Sequence, residues 1–183
     1  MRILSVCVGL PKLVEYHGEP VSTAIFKEPI EGKVQVGAAN LAGDRQADLR
    51  VHGGYSKAVY VYPSEHYEFW RAEFPEMHLP FGMFGENLTS EGVTEKDVFV
   101  GDRLRIGTAE FIVTEPRQPC FKLGIKFGRS DIIKRFAKSG RSGFYVAIAK
   151  TGELAAGDQI EILARERTAT SIADIVREMY SLG

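Results

Sequence analysis

The sequence predicts a mainly β fold, β-rich α+β, of the small barrel or sandwich kind with a few helices. Three observations carry this reading. Runs rich in β-branched and aromatic residues are broken roughly every 8 to 12 residues by Gly, Pro or Asp, the spacing of short antiparallel strands. The segments Val100-Gly101-Asp102-Arg103-Leu104-Arg105-Ile106 and Ala156-Gly157-Asp158-Gln159-Ile160-Glu161-Ile162 are built alike. Each has a Gly-Asp turn followed by polar and apolar residues in alternation, the period of a half-buried strand. Helical periodicity, by contrast, occurs in three places only.

Taken in chain order, Ile3 to Val8 is the first strand, and Gly9, Pro11 and Lys12 end it far short of a membrane span. Val21 to Phe26, Lys33 to Val36 and Ala58 to Val61 follow. A helix comes next: Ser64 after Pro63 is a candidate N-cap, and Tyr67, Trp70, Arg71 and Phe74 fall at i, i+3, i+4 and i+7 before Pro75. Leu79 to Asn87 reads as a loop with more apolar residues than a solvated loop needs. Arg103 to Ile106 and Glu110 to Glu115 are strands. A second helix starts at Ser130, carries Ile132, Ile133, Phe136 and Ala137 on one side, and is closed by Gly140. Gly143 to Ala149 and Gln159 to Leu163 complete the strands, and Ser171 to Leu182 forms a last helix on Ile172, Ile175, Val176 and Met179.

Composition removes several function classes. The chain has 183 residues, 44% hydrophobic, enough for one core that buries about 70% of the unfolded surface. Its 23 Lys plus Arg nearly cancel 24 Asp plus Glu, so no overall field draws in nucleic acid or an anionic membrane. An anion site must then be a local cluster. The absence of an apolar leader at the N-terminus makes a cytoplasmic location the expectation. Two cysteines, Cys7 and Cys120, are read as thiols that need no disulfide in so apolar a chain. The phosphate-binding patterns G-x-x-x-x-G-K-[ST] and G-x-G-x-x-G are missing, and two cysteines with four scattered histidines give neither a zinc spacing nor four iron–sulfur ligands.

Three constellations remain. Cys120 lies in Glu115-Pro116-Arg117-Gln118-Pro119-Cys120-Phe121-Lys122-Leu123, after a strong strand, where two prolines enforce an extended, rigid turn. Arg117 and Lys122 flank it, and cations favour the thiolate, the form that ligates a metal or attacks an electrophile. The bland alternative is a small buried hydrophobe, which is also the reading for Cys7. The second is Gly43-Asp44-Arg45-Gln46-Ala47-Asp48 followed by Val51-His52-Gly53-Gly54-Tyr55-Ser56-Lys57. Gly53 and Gly54 beside His52 allow close backbone approach, while Arg45 and Lys57 could hold an anion; a tight turn between strands explains the same residues. The third is Phe84-Gly85-Glu86-Asn87-Leu88-Thr89, where Glu86 and Asn87 could read a heterocycle's edge from an apolar pocket, or simply cap a turn. Together they describe a pocket for a phosphorylated heterocycle bearing a soft metal.

These stretches, with Tyr62-Pro63-Ser64-Glu65-His66-Tyr67 and Val100-Gly101-Asp102, run in the order found in the MOSC domain family. The sequence resembles that family, named for the C-terminal domain of molybdenum cofactor sulfurases, and within it the YiiM-like branch, from about Val21 to Leu163. The resemblance implies an antiparallel β-barrel with peripheral helices, over residues 1–165, and a helical extension over 166–183 that is shorter than the helical domain of that branch. It implies a molybdenum-pterin cofactor (Mo-molybdopterin) whose metal is held by the pterin dithiolene and one cysteine, matched here by Cys120. The implied activity is reduction of N-hydroxylated substrates of the hydroxylaminopurine or amidoxime type, a detoxification chemistry. Cofactor-holding candidates are Arg45, His52, Gly53, Gly54, Lys57, Glu86, Asn87, Arg117 and Lys122. The expected partners are a small substrate and a separate electron-donor reductase, with a homodimer as a compatible assembly. The alternatives are a non-catalytic carrier of the cofactor or of sulfur on Cys120, and a metal-free thiol oxidoreductase.

Overall fold

Eight strands form one continuous sheet in the computed structural model, which describes residues 1–47, 54–165 and 170–181. The strands of the chain are β1 (Arg2–Val8), β2 (Lys12–Tyr16), β3 (Glu19–Thr23), β4 (Glu28–Ile30), β5 (Val34–Val36), β6 (Val59–Pro63), β7 (Leu88–Glu91), β8 (Arg103–Ile106), β9 (Ala109–Pro116), β10 (Phe144–Lys150), β11 (Gly152–Leu154) and β12 (Ile160–Ala164). The helices are α1 (Glu65–Glu73), α2 (Phe121–Phe127), α3 (Ile132–Ser139) and α4 (Ile172–Tyr180). The large sheet runs β12-β8-β9-β10-β6-β7-β1-β4, antiparallel throughout except for the parallel pair β6 and β7. A hairpin, β2-β3, and a short pair, β11-β5, lie outside it.

The mainly β class therefore holds, but the sheet is not closed as a barrel. The edge of β1 is shared between two segments: Val6 to Val8 pair with β4, while Arg2 only bridges Gln159. Bonds from Ile3 N to Asp158 O and from Gly157 N to Ile3 O draw the start of β1 toward the approach to β12. With Ile160 N donating to Met1 O at 3.0 Å, these bonds and the single bridge join the two ends without forming a ladder between β1 and β12.

Alternation along the central strands sorts side chains into two cores. Val59 and Val61 of β6 and Val146 of β10 face a core with Leu104, Phe111, Ile3 and Leu88, and α4 adds Ile172 and Val176 to it. Tyr60 and Tyr62, one residue out of phase, face an aromatic core with Trp70 of α1, Phe84, Phe127 of α2 and Phe136 of α3. There Trp70 Nε1 donates to Tyr62 Oη at 2.7 Å, and the Tyr62 and Phe84 rings stack at 4.4 Å. The apolar loop 79–87 owes its composition to this core, since Leu79, Met83 and Phe84 are buried in it.

Local differences from the sequence reading have local causes. The strand expected over Val21 to Phe26 stops at Thr23, whose Oγ1 accepts from Ile25 N at 3.2 Å and turns the chain. Ser64 precedes α1 but caps nothing with its side chain; its own N–H donates to Ser90 O at 2.7 Å. Ser171 does cap α4, accepting from Asp174 N at 3.0 Å. Gly140 ends α3 in the left-handed region at φ 69°, where glycine carries no Cβ penalty. No helix among the described residues is long and apolar enough to cross a membrane.

Candidate functional site

The site is built around the end of β9. Residues Tyr145 and Glu115 are paired across β10 and β9, yet the next pair is Val146 with Val113, so Thr114 is an extra residue on β9. Such a bulge bends its strand and re-aims the side chains beyond it. The Thr114 hydroxyl holds the irregularity by contacting Ser56 O at 2.5 Å and Tyr145 O at 3.1 Å. Beyond it the two prolines, 116 and 119, carry the chain to Cys120, which sits in extended geometry (φ −129°, ψ 173°) immediately before α2. The side chain of Cys120 is half-buried, whereas Cys7 is fully buried, and no disulfide joins them. Burial, opposed by a contact with Ser5 Oγ at 3.5 Å, pushes the Cys7 thiol up to about 12.

Cys120 lines an open cleft holding about 640 Å³ of empty space, its solvent-facing part included. Of the candidates read from sequence, Arg45, Lys57, Asn87, Arg117 and Lys122 line this cleft with it. Lys27, Asp44, Gln46, Tyr60, Gln118 and Tyr145 line it too and were not singled out. Tyr60 and Tyr145 had a signal: each breaks a run of β-branched or small core residues at period two, so a second buried face was needed for them. Lys27 and Asp44 form an ion pair with side chains 8% and 1% exposed, and Gly9 N donates to Asp44 Oδ1 at 2.9 Å. Gln46 Nε2 donates to Lys57 O at 2.7 Å, tying together the two ends of the segment between them.

Two candidates are not at the cleft. Glu86 is fully buried, and its carboxylate is consumed by the loop: Tyr67 Oη, Gly82 N at 2.7 Å and Thr89 Oγ1 at 3.1 Å donate to Oε1, and Phe84 N at 3.0 Å to Oε2. Gly54 is exposed at φ 89°, ahead of the single turn Tyr55–Lys57. His52 and Gly53 lie outside the described residues. Asn87 lines the cleft, but its amide is engaged: Oδ1 accepts from Tyr60 N at 3.1 Å and Nδ2 donates to Cys7 O at 3.3 Å. Preceding both, Gly85 comes so close to Ile25 that a Cβ would stand 2.8 Å from its Cγ1, and at its φ of 78° any other residue would be strained.

The electrostatics of the cleft differ from those of the chain. Its described lining carries the cations Lys27, Arg45, Lys57, Arg117 and Lys122 against one carboxylate, Asp44, in a protein of net charge −1. Arg117 is 6% exposed, stands over the rings of Tyr60 and Phe136 at 5.0 and 5.3 Å, and its Nη1 is buried with no hydrogen-bond partner among the described residues. Burial alone would lower the Arg117 pKa; the interactions with Tyr60, Tyr145 and Cys120 outweigh it and the net direction is up. A buried guanidinium with an unused donor is a costly feature that an anionic ligand would relieve. An electropositive cleft, that unused donor and a half-buried thiol together fit a phosphorylated pterin carrying a thiophilic metal.

Known proteins resemble this chain in sequence and fold. Residues 48–161 match the family model described as MOSC domain. The chain is 42% identical over 170 residues to the uncharacterized protein YflK of Bacillus subtilis, covering 93% of this chain and 76% of that one. It is 36% identical over 178 residues to a protein named reductase from Gibberella moniliformis, covering 96% of this chain but only 31% of that much longer protein. The crystal structure of YiiM from Geobacillus stearothermophilus superposes with a TM-score of 0.81 at 36% identity, covering 98% of this chain and 83% of that one.

Proposed function

The chain belongs to the MOSC domain family, and from that premise we propose that it holds a molybdenum-pterin cofactor with Cys120 as its thiolate ligand and reduces N-hydroxylated compounds. The observation that carries the proposal is the meeting of Cys120 with a cleft whose buried Arg117 has a donor without a partner among the described residues. MOSC domains are associated with the molybdenum cofactor as a family, and the reductase name of one relative supports a redox role.

In this reading Arg117, from the buried wall, and Arg45, Lys57 and Lys122, from the more open parts, hold the anionic end of the cofactor. Each charge-assisted contact contributes about 1.5 to 3 kcal/mol, so two or three decide whether the cofactor is retained. The positive charge of Arg117 also favours the anionic form of the Cys120 sulfur, the form a soft metal requires. Tyr60, held by donating to Ser142 O at 2.7 Å, and Tyr145 stay protonated, because burial raises the pKa of both, and they wall the cleft without adding negative charge. The bound group supplies the two-electron chemistry by which an N–O bond is cleaved, with two protons taken up and the oxygen released as water. The sequence carries no flavin, haem or iron–sulfur motif, so the electrons come from a separate reductase.

The test is elemental analysis of protein made in a cofactor-competent host. Wild type and Cys7→Ser should retain molybdenum and turn over a hydroxylamino substrate with a chemical reductant. Cys120→Ser should fold normally and lose both. Equal metal content in Cys120→Ser and wild type would refute the ligand assignment; stoichiometric cofactor transfer without turnover would replace the enzyme by a carrier.

A further inference from the structure

Cys120, Lys57, Gln118 and Tyr145 also line an adjoining open compartment, with about 600 Å³ of empty space including its solvent-facing part, to which Glu115, Pro116 and Pro119 add the rest of the described wall. The cation-rich cleft has five Lys or Arg against one acid, whereas here the shared Lys57 is balanced by Glu115, and Pro116 and Pro119 join the shared Tyr145 and Gln118. The partition has a structural origin. The bulge at Thr114 turns the end of β9, leaving Glu115 with a side chain 35% exposed, while Pro116 and Arg117 beyond it are buried. Lys57 Nζ is 3.5 Å from Glu115 Oε2, a loose ion pair between half-exposed groups that does not exhaust the carboxylate's acceptor capacity.

Resting on the proposed function, we infer that this compartment receives the substrate and that the Glu115 carboxylate accepts a hydrogen bond from an N–H of the N-hydroxylated molecule. A polyanionic cofactor is favoured in the electropositive cleft, and a neutral or protonated, planar, N–H-bearing substrate in the balanced one. Proline and tyrosine rings offer apolar faces to such a molecule, and a carboxylate is an acceptor-only group that selects N–H donors at its edge. Cys120 is common to both walls, as are Lys57, Gln118 and Tyr145, so ligands in the two compartments meet beside the sulfur.

The experiment compares wild type and Glu115→Gln, purified from a cofactor-competent host, for molybdenum content and for steady-state reduction driven by reduced methyl viologen. The substrates are a benzamidoxime and its N,N-dimethyl analogue, which lacks the N–H donors. Glu115→Gln should keep the molybdenum content of wild type and raise KM for the N–H substrate about 5- to 15-fold, because glutamine keeps an acceptor oxygen and loses only the charge assistance. The preference of wild type for the N–H substrate should shrink by the same factor in the variant. Loss of molybdenum from Glu115→Gln would place Glu115 in service of the cofactor through Lys57 and overturn the inference. An unchanged KM and an unchanged preference would overturn it equally. Molybdenum-free, inactive wild type would instead overturn the proposed function, and this inference with it.

Discussion

Replacing Glu86 with alanine separates a structural role from a cofactor-binding one. The carboxylate lies at the centre of the loop 79–87 with four donors aimed at it. On its removal, the Tyr67 hydroxyl can turn to Pro80 O, already 3.2 Å away, but Gly82 N, Phe84 N and the Thr89 hydroxyl lose the acceptor they share. Three buried donors left unsatisfied at roughly 1 to 3 kcal/mol each, less the recovered cost of burying a charge, give a destabilisation of about 3 to 5 kcal/mol. For a chain of this size that lowers Tm by about 6 to 20 °C, read from thermal unfolding followed by circular dichroism. Glu86→Gln keeps an oxygen at Oε1 for three of the donors but sets an NH2 against Phe84 N–H, so its loss is smaller, about 1 to 3 kcal/mol. A Glu86→Ala protein melting within about 2 °C of wild type would refute this account, and a variant of unchanged stability that lost its cofactor would return Glu86 to the binding site.

The two thiols should differ in reactivity. In cofactor-free protein, iodoacetamide at pH near 8 should modify half-buried Cys120 and spare Cys7, whose burial holds the thiol at about 12; peptide mass spectrometry showing equal rates would contradict the burial of Cys7. Asp131 should contribute an acid-sensitive increment of stability. Its hydrogen bonds to Arg129 at 2.6 and 2.8 Å and to Arg135 at 2.9 Å hold its pKa at about 2, below the usual 3.8. A depressed carboxylate stabilises the fold above the unfolded pKa and loses that effect as pH falls toward the folded one. Asp131→Asn should therefore have a lower urea midpoint than wild type at neutral pH, with the gap closing between about pH 3.8 and about pH 2; a gap that stays constant would refute the assignment.

Much of this protein was legible in residue order alone, because the signals concerned are local. The strand over Arg103–Ile106 and the helix closed by Gly140 follow from periodicity and turn chemistry, which act within a few residues. Cys120 stood out because prolines and cations surround it in sequence. Strand β2 and helix α2 escaped the pattern; α2 is seven residues long and buries a glycine, Gly124, beside Leu123 and Phe127. Glu86 and Asn87 illustrate the limit. A motif shows that polar groups are present, but only the packed chain shows that Glu86 is spent on its own loop and Asn87 on the backbone of Tyr60 and Cys7. The cation-rich cleft is equally a product of folding: Lys27, Lys57 and Arg117 come from distant segments and converge only when β3, β6 and β9 are assembled. Charge composition sums over the whole chain and reports near neutrality, whereas Coulomb interaction depends on distance, which the tertiary structure sets.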